Sequence, residues 1–278
     1  MAPIPAYTDI GKAVGDLFKG SSKAGAFQLD HKVTYSGVTS SGLNVTLTGI
    51  TKGERVEPTL KAAYAKKGYS ADVTYDGAAK VAINTSVADV LLPGLKLSGS
   101  VTLPNPNSAK ASIDYNFPYL STKATMTLTS KPLVDVVAST GYKDVVVGVE
   151  AGFDTVKSTV SKYNLAVGYH APDFQIAASV LDKLSTVKVG YAHNVSSSTR
   201  VGAEVLRKLV SGDTSVILGY SKTLSTGALT KLKIDNSGLL TGLYETKLTT
   251  GEKVGASFQL HATDLSKPVK YGFAVDLA

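Results

Sequence analysis

Bulky apolar residues recur at every second position through most of this chain. In YNLAVGYHAPDFQIAASV, Tyr163 to Val180, Leu165, Val167 and Tyr169 share one face of an extended segment, and Asn164, Ala166, Gly168 and His170 share the other. After a Pro-Asp corner the alternation resumes with Phe174, Ile176, Ala178 and Val180. Similar period-two runs are FQLDHKVTY, LNVTLTG, LKLSGSVTL, ASIDYNF, KATMTLT, VKVGYAH, TSVILGYSK, KLKID and ASFQLHA. Turn chemistry breaks them at Gly37, Gly53 with Glu54, Gly77, Pro104 to Asn107, Pro118, Lys131 with Pro132, Gly212 with Asp213, Asn236 to Gly238 and Thr250 to Glu252. Roughly 250 residues at about 13 per strand and turn predict about 19 strands.

Only residues 8 to 19 show a helical pattern. Ile10, Val14, Leu17 and Phe18 fall at i, i+4, i+7 and i+8, while Lys12, Asp16 and Lys19 lie elsewhere around the turn. Thr8 or Asp9 is the expected cap, Gly20 to Ser22 end the helix, and a Gly/Ser/Lys linker runs through Gly25 to a first strand from Phe27. A helix this short is marginal alone in water, so it requires a surface to dock on. The chain therefore divides into a helix and linker over 1–25 and a β region over 26–278 with no shift of composition inside it.

A meander of so many strands forms a propeller, a solenoid or a barrel. Propellers and solenoids carry a motif at fixed period; here only a loose Gly-Tyr recurrence is visible, at Gly68, Gly141, Gly168, Gly190 and Gly219, and it reads as strand geometry. In a closed barrel the two faces meet different solvents. Leu95, Leu97, Ile113, Tyr115, Phe117, Met126, Leu128, Val187, Val189, Tyr191, Val216, Leu218 and Tyr220 then face lipid. Their neighbours Lys96, Ser98, Ser112, Asp114, Asn116, Lys123, Thr125, Thr127, Lys188, Gly190, Ser215 and Ser221 face a polar lumen, with Lys32, Lys231 and Lys233 on the same side. About 19 strands at ~4.8 Å spacing and ~40° tilt close at ~19 Å radius, too wide for side chains to fill. The amphipathic helix is the spare element to occupy that space. The competing architecture, a soluble β-sandwich, uses the same alternation with the bulky face inside.

Composition favours the barrel. Charged residues are only 18% of 278, below the ~25% of ordinary soluble domains. Cysteine is absent, so no disulfide or thiolate metal site exists, and the net charge of +7 favours anionic partners. No apolar run is long enough for a transmembrane helix, a constraint that strands escape. The N-terminus lacks the basic start and apolar core of a secretory signal. His31, His170, His193 and His261 are scattered without metal-ligand spacing, and no nucleotide loop or nucleophile elbow is present. Glu54 with Glu57 reads as solvated turn charge, and Arg207 with Lys208 as a strand end at a membrane surface rather than a nucleic-acid contact. The expectation is no enzyme, no cofactor and no metal.

Several stretches together resemble the mitochondrial porins, the voltage-dependent anion channels. YTDIGKAVGDLFKG is similar to that family's N-terminal helix, LLPGLKLSG contains its Gly-Leu-Lys motif at Gly94, Leu95 and Lys96, and LKIDNSGLLTGLYETKL resembles its late hairpin. The last strand, KYGFAVDL, fits an outer-membrane insertion signal through Lys270, Gly272, Val275 and Leu277. That family's barrel itself has 19 strands, so count and resemblance are one observation rather than two. The resemblance implies an antiparallel meander closed by a parallel first and last strand, with the helix inside the lumen of a mitochondrial outer-membrane pore. It implies passive, anion-preferring diffusion of ions and small metabolites such as ATP and ADP. Lys12, Asp16 and Lys19 match polar positions of the family helix and Lys96 the motif lysine; with Lys32, Lys123 and Lys188 they form the expected anion and nucleotide track. The expected partners are membrane lipid, this cargo and further copies of the chain. Some family members place a carboxylate towards lipid in the fourth strand; here Val73 and Tyr75 take that parity, and Asp72 and Asp76 the other. A protein-translocating barrel and a soluble carbohydrate-binding β protein are the alternatives.

Overall fold

A computed structural model describes residues 4–20 and 27–277. The expected linker, 21–26, lies outside them. Among the described residues nineteen strands follow one short helix. They are β1 (His31–Val38), β2 (Asn44–Lys52), β3 (Arg55–Lys66), β4 (Tyr69–Asp76), β5 (Lys80–Ala88) and β6 (Leu95–Leu103). Then come β7 (Asn105–Asn116), β8 (Leu120–Thr127), β9 (Leu133–Tyr142), β10 (Val145–Asp154), β11 (Thr159–His170), β12 (Phe174–Leu181) and β13 (Thr186–Asn194). The last six are β14 (Thr199–Lys208), β15 (Thr214–Thr223), β16 (Leu229–Asp235), β17 (Leu239–Lys247), β18 (Lys253–His261) and β19 (Lys270–Leu277). Each pairs antiparallel with its sequence neighbours, and β1 pairs parallel with β19 through Lys32 to Ala274 and Tyr35 to Leu277. An odd meander forces its first and last strands to run the same way, so this closure follows from the count. Each of the described strands has two neighbours, which leaves no sheet edge among the described residues.

Curvature identifies the two faces. On the inside of a closed sheet side chains converge and cover one another; on the outside they splay apart. The small polar residues Thr34, Ser121, Ser139, Thr241 and Ser257 are buried, whereas Tyr35 and Val189 on the opposite parity stand 55% and 42% exposed. The polar face is thus concave and the bulky face convex. Register pairing keeps the parity around the wall: Leu97, Ile113 and Ala124 follow one another on one face, and Lys96, Asp114 and Lys123 on the other. Exposed Leu, Val and Tyr side chains over the whole convex surface are wrong for water and right for hydrocarbon. Val73 and Tyr75 are among them, while Asp72 on the concave face accepts from Asn84 Nδ2 at 2.9 Å.

Three local expectations need correction. The helical segment is broken: a 3-10 turn, Tyr7–Asp9, precedes helix α1, Lys12–Phe18, and Gly11 between them is left-handed at φ 75°. Neither Thr8 nor Asp9 caps α1; Gly11 holds that position, where a Cβ would come within 2.8 Å of Ala177 Cβ on β12. Secondly, Phe27 to Asp30 are not strand. They cross the concave side of β19, where a Cβ on Gly272 would meet the backbone of Leu29 and Asp30 at 2.5 and 2.6 Å. Thirdly, Gly37 lies within β1, Asn105 to Asn107 open β7 so that only Pro104 is left between strands, and Glu57 lies within β3, where it pairs with Lys52 at 2.6 Å; none of these is in a turn.

Candidate functional site

The concave wall and the helix packed on it form the site. Helix α1 lies against β12 to β16, and the preceding 3-10 turn against β9 and β10. All four residues of the apolar stripe touch the wall, and each meets a glycine. A Cβ at Gly168 would lie 3.2 Å from Ile10, one at Gly190 2.7 Å from Val14, one at Gly202 2.6 Å from Leu17 and one at Gly219 2.7 Å from Phe18. Gly148 likewise makes room for Tyr7 and Ile10. Val14 and Leu17 are each only 2% exposed. Gly168, Gly190 and Gly219 belong to the Gly-Tyr recurrence, so part of that pattern is a seat for the helix, with the tyrosine of each pair on the lipid side.

Polar contacts fix the two ends of the segment. Buried Ser139 Oγ donates to the Pro5 carbonyl at 2.7 Å. Tyr7 is pushed above the ordinary phenol range by burial and by the Glu150 carboxylate. At the other end Lys231 Nζ donates to the carbonyl oxygens of Asp16, Lys19 and Gly20 at 2.9, 3.2 and 3.1 Å. The last carbonyls of a helix have no intrahelical donor and carry partial negative charge, so an ammonium there satisfies both needs. Lys231 was readable as a lumen residue from parity. Its capping role was not, because its partners are 211 to 215 positions away.

The predicted cations separate into two groups. Lys12 pairs with Asp9 at 3.1 Å, Lys19 with Asp16 at 3.5 Å, Lys123 with Asp114 at 3.2 Å and Lys188 with Glu204 at 2.9 Å. Lys32 and Lys96 have no carboxylate within 4.0 Å among the described residues. Lys96 stands opposite Asp114 in register, but Lys123 takes that carboxylate. A paired lysine contributes little field at a distance, whereas an unpaired one attracts anions over about a Debye length. The predicted residues do not converge: Lys188 lies beneath the helix on β13, Lys96 and Lys123 lie on β6 and β8, and Lys32 lies beside the closure. Lys270 and Gly272 occupy the concave side of β19, and Val275 and Leu277 the convex side. Among the described residues no cluster of metal-ligating side chains occurs.

The chain matches the eukaryotic porin family over residues 4–272. It is 29% identical to mitochondrial outer membrane protein porin 6 of Oryza sativa subsp. japonica over 99% of this chain and 98% of that one. It is 28% identical to the mitochondrial outer membrane porin of Triticum aestivum, covering 98% and 97%. With porin 2 of Arabidopsis thaliana the identity is 28%, again over 98% and 97%. A solved mutant of Rh. blastica porin superposes with a TM-score of 0.48 at 10% identity over 87% of this chain and 94% of that one, too loosely to add weight. A closed barrel with a convex apolar face and a concave polar one, matched to these relatives along its whole length, places the chain in the eukaryotic porin family as a pore-forming channel of the mitochondrial outer membrane.

Proposed function

We propose that this pore is anion-preferring and responds to voltage, and that it passes ions and small phosphorylated metabolites, ATP and ADP among them, by passive diffusion. Residues 1–25 then serve as an element inside the lumen and 26–278 as its wall. The carrying observation is the imbalance of charge on the concave face. Among the described residues Lys32, Lys96, Lys110 and Arg200 have no carboxylate within 4.0 Å, whereas Asp114, Glu150, Glu204 and Glu245 sit in ion pairs, Asp76 and Asp235 accept N–H groups of their own turns, and Asp276 stands without an ion pair. A wide pore screened over about 8 Å at physiological salt gives a modest preference rather than a strict filter. Voltage acts on charges that move: each elementary charge crossing the full field is worth about 2.3 kcal/mol per 100 mV, and Lys12, Asp16 and Lys19 ride on a segment packed on, rather than woven into, the wall. On the same reading Lys270, Gly272, Val275 and Leu277 form the membrane-insertion signal, with its polar and apolar halves on opposite faces of β19.

Reversal potentials in a KCl gradient across a planar bilayer test this reading. Wild-type protein is expected to favour chloride, Lys32→Glu and Lys96→Glu each to move the potential towards the cation side. A cation preference of the unaltered pore refutes it.

A further inference from the structure

The convex face is almost free of charge. Among the described residues its strands carry three charged side chains, Lys66, Arg207 and Lys222, all cations and each last or next to last in its strand. A basic group there reaches the headgroup layer while its stem stays in hydrocarbon. Arg207, near the end of β14, differs from the other two in its surroundings. It stands directly opposite Val187 on β13 and Thr214 on β15, and no carboxylate lies within 4.0 Å of it among the described residues. The two turns beside it, 182–185 and 209–213, are tied together by the Leu209 N–H, which donates to the Ser185 carbonyl at 2.7 Å. They present exposed Lys183 with the exposed aliphatic side chains Leu184, Leu209 and Val210, the last 89% exposed. Asp182, Lys183 and Leu184 take φ of 53°, 59° and 66° with no glycine among them, and Ser185 Oγ fastens that turn by donating to the Asp182 carbonyl at 2.6 Å. Asp182 and Asp213 belong to the same turns; Asp213 accepts from the Ser211 hydroxyl at 2.6 Å, and neither lies within 4.0 Å of a cation among the described residues. At the other end of β11 to β14 the turns 171–173 and 195–198 hold no basic residue.

We propose that Arg207, Thr214 and Lys183 seat the phosphodiester headgroup of an anionic membrane phospholipid on the outside of the barrel. The guanidinium fork holds two phosphate oxygens, the Thr214 hydroxyl supplies a further donor, and Lys183 adds charge from the neighbouring turn. Leu184, Leu209 and Val210 are misplaced in water, but beside a lipid they lie at the boundary of headgroup and acyl chain. Charge selects the lipid class. Phosphatidylcholine carries its own ammonium next to the phosphate and brings a cation to a cationic rim, whereas an anionic headgroup does not. A soluble phosphate offers no acyl chain to the three aliphatic residues. The seat lies on the lipid side of the wall, so it is independent of which ions the lumen prefers.

The chain contains no tryptophan, so Leu209→Trp installs a single fluorescent reporter beside the seat. Its quenching by brominated phosphatidylglycerol and by brominated phosphatidylcholine, in vesicles holding the refolded full-length protein, gives the ratio of the two lipids bound there. A preference of about fivefold for phosphatidylglycerol is expected, the size of one basic side chain at a charged membrane surface. On this background Arg207→Gln is expected to bring the ratio below about twofold, and Arg207→Lys to leave an intermediate value, because the charge stays and the fork is lost. Lys66→Gln, which removes a convex cation at the opposite rim, is expected to leave the ratio as it was. Phe174→Trp, a reporter at the other end of β12, is expected to show no preference. Val210→Trp repeats the measurement at a side chain with little packing to lose, and a thermal transition matching the wild type identifies variants whose barrel is intact. Equal preference at the Leu209→Trp and Phe174→Trp reporters means a general surface potential and overturns the seat. So does an unchanged ratio in Arg207→Gln, an equal loss in Lys66→Gln, or no preference at either Leu209→Trp or Val210→Trp.

Discussion

Gly190→Ala adds one methyl group between the wall and the helix. Its Cβ would stand 2.7, 3.4 and 3.5 Å from three atoms of Val14, the nearest heavy atoms around it. Carbon atoms rest at about 3.5 to 4.0 Å, so the shortest of these contacts cannot persist and either Val14 or the helix must shift. Strand backbone cannot yield easily, since Gly190 is paired on both sides, to Ala177 and Glu204. Overpacking of this kind costs about 1 to 3 kcal/mol. Against it stands the burial of Val14 and Leu17, worth roughly 1.5 to 3 kcal/mol each. The methyl therefore removes a share of the docking energy comparable to one of those side chains, and the ratio of docked to undocked helix is expected to fall by one to two powers of ten at about 1.4 kcal/mol per tenfold. Hydrogen exchange of the peptide spanning 12–18, read by mass spectrometry in lipid nanodiscs, measures that ratio directly. Gly15→Ala is the control of opposite sign: its Cβ meets nothing within 4 Å, and alanine is better by about 1 kcal/mol inside a helix, so exchange is expected to slow. Val14→Ala combined with Gly190→Ala relieves the clash, and the double variant is expected to be less harmed than the sum of the singles. Unchanged exchange in Gly190→Ala, or strict additivity in the double variant, would refute the glycine seat.

Removing the ammonium in Lys231→Met strips three hydrogen bonds from the end of α1 and is expected to weaken docking by about 1.5 to 3 kcal/mol, seen as faster exchange at Asp16 to Gly20 with the barrel's thermal transition unmoved. Val189→Arg places a charge mid-strand on the convex face, and chemical denaturation in vesicles is expected to show a loss of about 2 to 4 kcal/mol; wild-type stability there would contradict the lipid-facing assignment. In the turn before β19, the hydroxyl and backbone N–H of Ser266 donate to Asp264 at 2.6 and 3.2 Å and hold its carboxyl below the usual range. Because the folded value is depressed, the contribution is complete above the ordinary carboxylate value of about 4 and is lost as the pH falls through the folded one, so exchange corrected for intrinsic rate is expected to accelerate at 262–269 on acidification and in Ser266→Ala at neutral pH.

Strand parity was legible because it needs only the residue and its neighbours: Leu97 and Lys96 sit on opposite faces whatever the rest of the chain does, whereas a count of about 19 leaves odd or even open and the parallel closure needed the family resemblance or the structure. The apolar stripe of Ile10, Val14, Leu17 and Phe18 was legible for the same reason. Features that depend on two distant segments were not. Thr8 and Asp9 are good capping residues in isolation, yet the close approach of Gly11 to Ala177 sets the break in the helix instead. Phe27 to Asp30 alternate like a strand, but the closure places them across Gly272.

Alternation, low charge and turn chemistry in the sequence alone determined a many-stranded meander with one apolar and one polar face and a short helix in need of a partner, because each is a short-range property of a pleated or helical backbone. Only the tertiary structure decided which lysines keep their charge unshared, which glycines receive the helix and which ammonium caps it. Those depend on who stands opposite whom across strands far apart in the chain, and no local pattern encodes that.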